Sequence, residues 1–253
     1  MSETDVSEEW HDDDGFWEAM APVIFDSARR DLTEFEVDGI TDLVDLGANK
    51  RVLDLACGQG RHAVEFALDG HRVTGVDRTE AYLERARQRA GRDNLEIEWV
   101  REDMRDFRRP ATFDLAVCLY TSFGYFDQPE ENQRVLENAR ASLVDGGRFV
   151  LEVAGKESVA TDFRPVSWQE LEDGSLFLAK RQLEGDWEWV HNHWILVTEE
   201  HGRRDFQMRH RLYAASELRQ MLLAAGFDNV DVYGSFDGAP YNRDARTLVA
   251  AAE

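Results

Sequence analysis

The sequence predicts an α/β fold, a doubly wound sheet of seven strands into which a small antiparallel β subdomain is inserted. Between residues 51 and 155, short apolar runs alternate with stretches of helical apolar spacing, which is typical of parallel strands joined by helices. From residue 156 to about residue 212 the apolar period becomes two, as in antiparallel strands that bury one face. Helical spacing returns after the insertion, and two short strands end the chain.

Each element follows from its own local pattern. The strands of the main sheet are apolar runs bounded by turn residues, expected at residues 52–55, 71–77, 95–100, 113–119, 148–153, 230–233 and 247–251. Helices are expected where apolar residues recur every three or four positions, at residues 16–30, 37–44, 62–68, 80–90, 130–143 and 216–225. The inserted sheet has about three strands, near residues 176–183, 187–197 and 204–213.

This order of elements divides the chain into a tail, a main domain and an insertion. Residues 1–14 are predicted to be disordered, because they are acidic and have few large apolar groups to offset the entropy lost on ordering. Residues 15–155 and 213–253 form the main domain, and residues 156–212 form the inserted β subdomain, a candidate substrate wall.

The charge balance excludes some functions. The 253 residues include 51 Asp and Glu against 29 Lys and Arg, a formal net charge of -22. Such a charge repels polyanions, so nucleic acid is not expected as a partner. The only lysines are Lys50, Lys156 and Lys180, and this lysine-poor acidic composition resembles that of proteins from salt-in halophiles. We therefore expect stability to rise with salt concentration.

Cysteine usage and hydropathy indicate a reduced cytoplasmic protein. Cys57 and Cys118 offer no second pair for a disulfide framework. No apolar run is long enough to span a membrane, and the acidic N-terminus does not resemble a secretion signal, so no membrane partner is expected. His191 and His193 share a strand face but lack a third ligand, so no metal site is predicted. The oligomeric state stays open.

The first strand, glycine turn and helix predict a ligand site. Gly58 and Gly60 let the backbone bend and let a ligand approach, and the helix after them presents free N–H groups. The spacing from Gly58 to Ala63, with Asp77 ending the second strand, also fits a dinucleotide fingerprint, so an NAD(P)-dependent oxidoreductase is an alternative. Against it, the chain shows no evident hydride-shuttling Tyr-x-x-x-Lys, and Asp54 and Asp103 favour a different nucleotide-like ligand.

Five motifs in order resemble the class I S-adenosylmethionine-dependent methyltransferases, a family with a Rossmann-like sheet. They are Val-Leu-Asp-Leu-Ala-Cys-Gly-Gln-Gly at 52–60, Val-Thr-Gly-Val-Asp at 73–77, Asp-Met-Arg-Asp-Phe at 103–107, and the segments 113–126 and 143–150. The remainder is similar to the small-molecule subgroup that includes aminosugar N,N-dimethyltransferases. One departure is Ala56, where the family usually has glycine.

The resemblance implies S-adenosyl-L-methionine as cofactor. Asp54 and the backbone of residues 56–60 would hold its methionine part, Asp77 its ribose hydroxyls, and Asp103 with the Met104 backbone its adenine. The residues implied in cofactor binding are Trp17, Asp54, Ala56, Cys57, Gly58, Gly60, Asp77, Arg78, Asp103, Met104, Leu119 and Phe123.

The implied reaction is in-line transfer of a methyl group to a small-molecule acceptor. The group that assists it is open, with Tyr125 and Tyr241 as candidates. The Asn/Asp-Pro-Pro-aromatic element of base-methylating enzymes is absent after the fourth strand. A regulatory protein that binds S-adenosylmethionine without turnover is a further alternative, and the acceptor and the methylated atom stay open.

Overall fold

The structure is a computed structural model that describes residues 10–253. Eleven strands lie within this range: β1 (Arg51–Leu55), β2 (Arg72–Asp77), β3 (Glu98–Arg101), β4 (Phe113–Cys118), β5 (Leu143–Val153), β6 (Val166–Glu170), β7 (Leu176–Glu184), β8 (Trp189–Thr198), β9 (Gly202–Arg211), β10 (Val230–Tyr233) and β11 (Leu248–Ala252). The helices of the same part are α1 (Asp14–Ile24), α2 (Ser27–Asp31), α3 (Thr33–Leu43), α4 (Arg61–Leu68), α5 (Glu80–Arg92), α6 (Pro129–Ser142), α7 (Lys156–Thr161) and α8 (Ala215–Ala224).

The predicted α/β fold is confirmed. Seven strands form one sheet in the order β3-β2-β1-β4-β5-β11-β10, in which only β11 runs antiparallel to its neighbours. Helices cover both faces: Val37 of α3 and Phe66 of α4 are buried on one side, and Leu136 of α6 and Leu222 of α8 on the other. The connections diverge between β1 and β4, and ligands of open α/β sheets bind at such a point.

The inserted subdomain has four strands, in the order β6-β7-β8-β9, rather than the three expected. The extra strand β6 pairs antiparallel with β7, and its side chains at Val166 and Trp168 are 64% and 70% exposed. The alternation of Val166 and Trp168 with polar residues spans only four positions, and it places the apolar side chains on the exposed face. The sequence pattern therefore missed it.

The N-terminal segment covers one face of this insertion. Phe16 and Met20 of α1 are buried together with Phe177, Leu196 and Met208 of the inserted sheet. Alternating residues on β7 and β8 supply that apolar face, as the period of two predicted. These side chains form an apolar core of their own, separate from the cores on the two faces of the main sheet, and it joins helix α1 to the insertion.

The predicted tail boundary at residue 14 is wrong for the residues that the structure describes. A short 3-10 turn spans Trp10–Asp12, where Trp10 and His11 are 4% and 5% exposed. The Trp10 ring lies 5.2 Å from Phe16 and 5.0 Å from Tyr125 between ring centroids, and these contacts offset the entropy cost that the composition suggested. The rest of the predicted tail, residues 1–9, lies outside the described residues.

The single helix expected over residues 16–30 is two helices. The first ends at Ile24, and Asp26 caps the second by accepting a hydrogen bond of 2.8 Å from the Arg29 N–H. An aspartate that satisfies a free N–H is a common start for a new helix. Across residues 10–253, no helix is long and apolar enough to cross a membrane.

Candidate functional site

A cavity of about 660 Å³ lies at the carboxyl ends of β1, β2 and β4. The glycine turn after β1 and the loop after β4 form one side of it. Helix α1 and the inserted sheet form the opposite side. The cavity therefore runs from the point where the strand order diverges to the insertion.

The glycine turn has a left-handed backbone that few residue types adopt. Ala56, Gly58 and Gly60 have φ angles of +59°, +55° and +70°. A Cβ at Gly58 would lie 2.7 Å from the Phe25 ring, and one at Gly60 would lie 2.5 Å from the Trp99 ring. Ala56 holds this conformation with a side chain, which accounts for the preference for glycine there and makes the turn locally strained.

Ala56, Cys57 and Gly58 line the cavity, whereas Gly60 does not. Gly60 instead precedes the first residue of α4, where its lack of a side chain allows Trp99 and Ala86 to pack closely. Gly60 therefore lies outside the cavity lining, and its lack of a side chain allows this close packing.

Asp77 ties the end of β2 to the glycine turn. One carboxylate oxygen accepts the Gly58 N–H at 2.8 Å, and the other accepts the Thr79 N–H at 2.8 Å. Burial raises the pKa of Asp77, although these hydrogen bonds act in the opposite direction. Asp77 lines the cavity, and each of its oxygens has a further lone pair that can accept from a donor such as a hydroxyl.

Asp54 is the least satisfied charged group of the site. Its side chain lines the cavity and is 2% exposed, and its Oδ2 makes no hydrogen bond to any residue from 10 to 253. Burial raises the pKa of Asp54 to about 7, while the Ala63 N–H and Arg61 partly offset the rise. A buried carboxylate oxygen without a partner is suited to accept a hydrogen bond from a cationic ligand.

Asp103 and Arg105 form a bidentate pair at the next edge of the cavity. The Arg105 guanidinium donates to Asp103 at 3.0 and 2.8 Å, and the Arg105 N–H adds a bond of 2.8 Å. Although burial by itself would raise it, these bonds lower the pKa of Asp103. The carboxylate is therefore ionised and fixed in direction, and Met104 lines the cavity beside it.

The N-terminal segment closes the cavity over Asp77. Arg78 donates to the His11 and Asp12 carbonyl oxygens at 2.7 and 3.0 Å, and the Trp17 indole N–H donates to the His11 carbonyl at 2.8 Å. The Tyr82 hydroxyl donates to the Trp17 carbonyl. Arg78 thus anchors the covering segment, and Trp17 lies in the cavity wall as expected.

The loop after β4 lines the cavity on the same side as the glycine turn. Tyr120 and Thr121 have φ angles of +58° and +56°, two successive left-handed residues that are not glycine. Buried Glu152 holds this loop by accepting the Tyr120 N–H at 2.5 Å and a hydrogen bond from the Thr247 hydroxyl. Leu119 and Tyr125 both reach the cavity from this loop.

Besides Gly60, two predicted site residues do not reach the cavity, Phe123 and Tyr241. Phe123 is fully buried in the main core, with its ring centroid 5.4 Å from that of Tyr213. The Tyr241 hydroxyl donates to Glu157 at 2.9 Å, outside the cavity lining. Tyr241 is displaced because β10 and β11 lie beyond β5, at the edge of the sheet.

Sequence reasoning indicated a carboxylate contact for Arg61 but did not place the polar network around Glu36 beside the glycine turn. Arg61, near the start of α4, is 7% exposed and pairs with Glu36 at 2.8 Å, and His62 contacts the same carboxylate at 2.9 Å. The Tyr120 hydroxyl donates to Glu36 as well. The unfavourable position of a cation at a helix N-terminus was the one signal for this network.

The structure describes no metal centre. Between residues 10 and 253, no group of three His, Cys, Asp or Glu side chains is arranged to hold an ion. His193 contacts Asp205 at 2.7 Å, and His191 lies 3.9 Å from Glu184. Both histidines lie on the face of β8 that turns away from the cavity.

Known proteins resemble this chain in sequence and in fold. A family model described as a methyltransferase domain matches residues 52–147. A putative methyltransferase of Geobacillus sp. (strain WCH70) is 26% identical over 207 residues, which cover 80% of this chain and 84% of that protein. The dTDP-3-amino-3,4,6-trideoxy-alpha-D-glucopyranose N,N-dimethyltransferase of Streptomyces venezuelae is 33% identical over 101 residues, which cover 40% of this chain and 41% of that enzyme.

A solved structure extends the likeness in fold to almost the whole chain. The crystal structure of a S-adenosylmethionine-dependent methyltransferase from Clostridium acetobutylicum ATCC 824 has a TM-score of 0.78 and 15% identity, covering 94% of this chain and 97% of that chain. At this identity the likeness concerns the fold, including the inserted sheet.

Proposed function

Since this chain carries a methyltransferase domain and belongs to the S-adenosylmethionine-dependent methyltransferases, we propose that it methylates an amine of a small molecule bound between the glycine turn and the inserted sheet. The interpretation of its motifs as those of this family is thereby confirmed. S-adenosyl-L-methionine is its cofactor. The observation that carries the acceptor proposal is that the glycine turn and the inserted sheet line one and the same cavity.

The residues present fit this cofactor. Asp54 offers an unpartnered, buried carboxylate oxygen to an ammonium group, and Asp77 offers free lone pairs to two hydroxyls. Asp103, fixed by Arg105, is an ionised acceptor for an exocyclic amine. The bound cofactor supplies a methyl group on a positively charged sulfur, and that charge already activates it for transfer.

The chain's own task is to align the acceptor and to exclude water. Aromatic side chains of the N-terminal segment and of the loop after β4 enclose the middle of the cavity: Phe16, Trp17, Tyr125 and Phe126. Burial raises the pKa of Tyr125, so its phenol remains a neutral hydrogen-bond donor. In-line displacement by an amine that arrives neutral needs no strong base, whereas a hydroxyl acceptor needs one.

Several observations support a small amine as acceptor. The relative from Streptomyces venezuelae is named as an N,N-dimethyltransferase of an amino sugar. The net charge of -22 disfavours nucleic acid. Both cysteines are buried free thiols, in keeping with a reduced, cytoplasmic setting, and the acidic, lysine-poor composition supports adaptation to salt.

The test has a binding step and a turnover step. Calorimetry should show that S-adenosylmethionine binds and that NAD(P) does not. A panel of small amines, each paired with the corresponding alcohol, is then incubated with the cofactor, and methylated product is measured by mass spectrometry. Methylation of amines and not of their alcohols is expected. Methylation of alcohols only would refute the amine proposal, and binding without any turnover would favour the regulatory alternative.

A further inference from the structure

The inserted sheet places one arginine on the face that lines the cavity. Phe177, Ala179 and Arg181 alternate along β7 on this face, and the first two are buried apolar side chains. Ser167 of β6 pairs with Ala179 and lies on the same side. Arg181 thus continues an apolar row with a half-buried cation.

Arg181 contacts only neutral acceptors. Its Nη1 donates to the Arg164 carbonyl oxygen at 3.2 Å and to the Ser167 hydroxyl at 2.9 Å. No carboxylate in the described range, residues 10–253, forms an ion pair with it. Burial lowers the pKa of Arg181, and no neighbouring anion counteracts this. A half-buried charge without a counterion is costly, and a bound anion would offset that cost.

Other arginines near the cavity are neutralised. Arg61 pairs with Glu36 at 2.8 Å, Arg105 pairs with Asp103 at 2.8 Å, and Arg78 pairs with Asp12 at 3.4 Å. The protein has 22 more acidic than basic residues, so carboxylates are abundant. The environment of Arg181 is therefore a specific exception and not a result of scarce partners.

The neighbours of Arg181 leave space for an anion. His210 of β9 lines the same cavity, and burial together with the Arg181 charge lowers the pKa of His210 to about 4, so it is a neutral hydrogen-bonding group near pH 7. Both hydrogen bonds of Arg181 leave from Nη1. Its Nε and Nη2 are therefore available for the two parallel bonds by which arginine holds a carboxylate or a phosphate.

We propose that Arg181 and Ser167 form a subsite for an anionic group, a carboxylate or a phosphate, carried by the methyl acceptor. This proposal rests on the proposed function, because the acceptor must span the cavity from the glycine turn to the inserted sheet. The subsite makes the enzyme selective for its acceptor. The net negative charge of the protein repels anions in general, and only a molecule whose anionic group contacts Arg181 gains an attraction that offsets this repulsion.

The test is calorimetric titration of the full chain, saturated with S-adenosylhomocysteine, with inorganic phosphate and separately with malonate. Sodium chloride at equal ionic strength is the reference. The wild type should bind at least one oxyanion, and the one it prefers tells whether the natural group is a phosphate or a carboxylate. Arg181→Gln should weaken that binding at least about tenfold, as expected for loss of a charge-assisted bidentate contact.

Lys180→Gln is the matched control, because Lys180 is the preceding residue of β7, is exposed on the opposite face and carries the same charge. It should bind the oxyanion as the wild type does. Arg181→Lys, which keeps the charge but loses the planar fork, should have intermediate affinity. This second variant keeps the proposal testable if Arg181→Gln does not fold, and unchanged affinity for S-adenosylhomocysteine identifies the folded variants.

The proposal is overturned if neither oxyanion binds the wild type above the chloride reference, or if Arg181→Gln or Arg181→Lys binds as tightly as the wild type. Its failure is distinct from failure of the proposed function. If S-adenosylhomocysteine does not bind the wild type, the proposed function fails, yet titration of the free protein with oxyanions still tests Arg181.

Discussion

Replacing Asp54 by asparagine should stabilise the protein in a way that depends on pH. Asp54 is 2% exposed, and its pKa is raised from 3.8 to about 7 by burial. The folded protein therefore binds the Asp54 proton more tightly than the unfolded chain does. The contribution of Asp54 to the free energy of unfolding falls as pH rises from 3.8 to about 7, and above pH 7 the cost of the buried charge is fully present.

The magnitude follows from the two pKa values. The difference between 3.8 and about 7 corresponds to at most about 4 kcal/mol of unfolding free energy at high pH. Between pH 5 and pH 9 the wild type should lose about 2 to 3 kcal/mol of it, because the folded protein releases the proton near pH 7. Asparagine has nearly the same shape, never ionises and does not incur this cost.

The assay is urea unfolding of the wild type, of Asp54→Asn and of Asp231→Asn at pH 5, 7 and 9, in 1 M potassium chloride to screen surface charges. Asp231 is exposed on β10, so its variant corrects for the loss of one surface charge. The stability gain of Asp54→Asn over the wild type should grow with pH, and that of Asp231→Asn should not. A gain for Asp54→Asn that is the same at pH 5 and pH 9 would refute the reasoning, since the carboxylate would then be ionised throughout.

Three further predictions concern the site and the surface. Asp77→Ala should weaken cofactor binding by more than about 1 kcal/mol, because it removes the acceptor for two cofactor hydroxyls and leaves the Gly58 and Thr79 N–H groups without their partner. Calorimetry tests this, with Asp77→Asn as the shape-conserving control. Unchanged affinity in Asp77→Ala would falsify it. Tyr125→Phe should lower kcat/KM about tenfold, whereas Tyr241→Phe, outside the cavity, should change it less than about twofold; equal effects in steady-state assays would contradict this placement. The melting temperature should rise between low and molar salt, since the net charge of -22 repels itself; calorimetric scans that show no salt dependence would exclude this explanation of the composition.

Strongly periodic segments were predictable from the sequence, and segments held by distant contacts were not. The central strands β1 and β4 carry apolar runs that a buried parallel sheet requires whatever surrounds it. Strand β6 and the turn at Trp10–Asp12 have no such pattern. They form because β7 and an aromatic cluster lie beside them in the folded chain, and contacts between residues far apart leave no local signal.

The candidate site divides in the same way. Asp54, Asp77 and Asp103 were predictable because each lies in or just after a parallel strand, and the carboxyl ends of such strands meet at one edge. Phe123 and Tyr241 were misplaced because sequence distance to a motif does not fix where a side chain points. Arg181 was overlooked because one charge within an alternating strand is ambiguous until its partners are known.

The sequence by itself therefore determined the order of elements, the glycine turn and the acids around it, since local backbone chemistry and periodicity fix these. Only the tertiary structure decided which groups are neutralised. Ion pairing and burial depend on residues brought together from distant parts of the chain, as Arg61 meets Glu36 while Arg181 meets no carboxylate among residues 10–253. For that reason the motifs predict the end of the cavity at the glycine turn, whereas the end at the inserted sheet follows only from the fold.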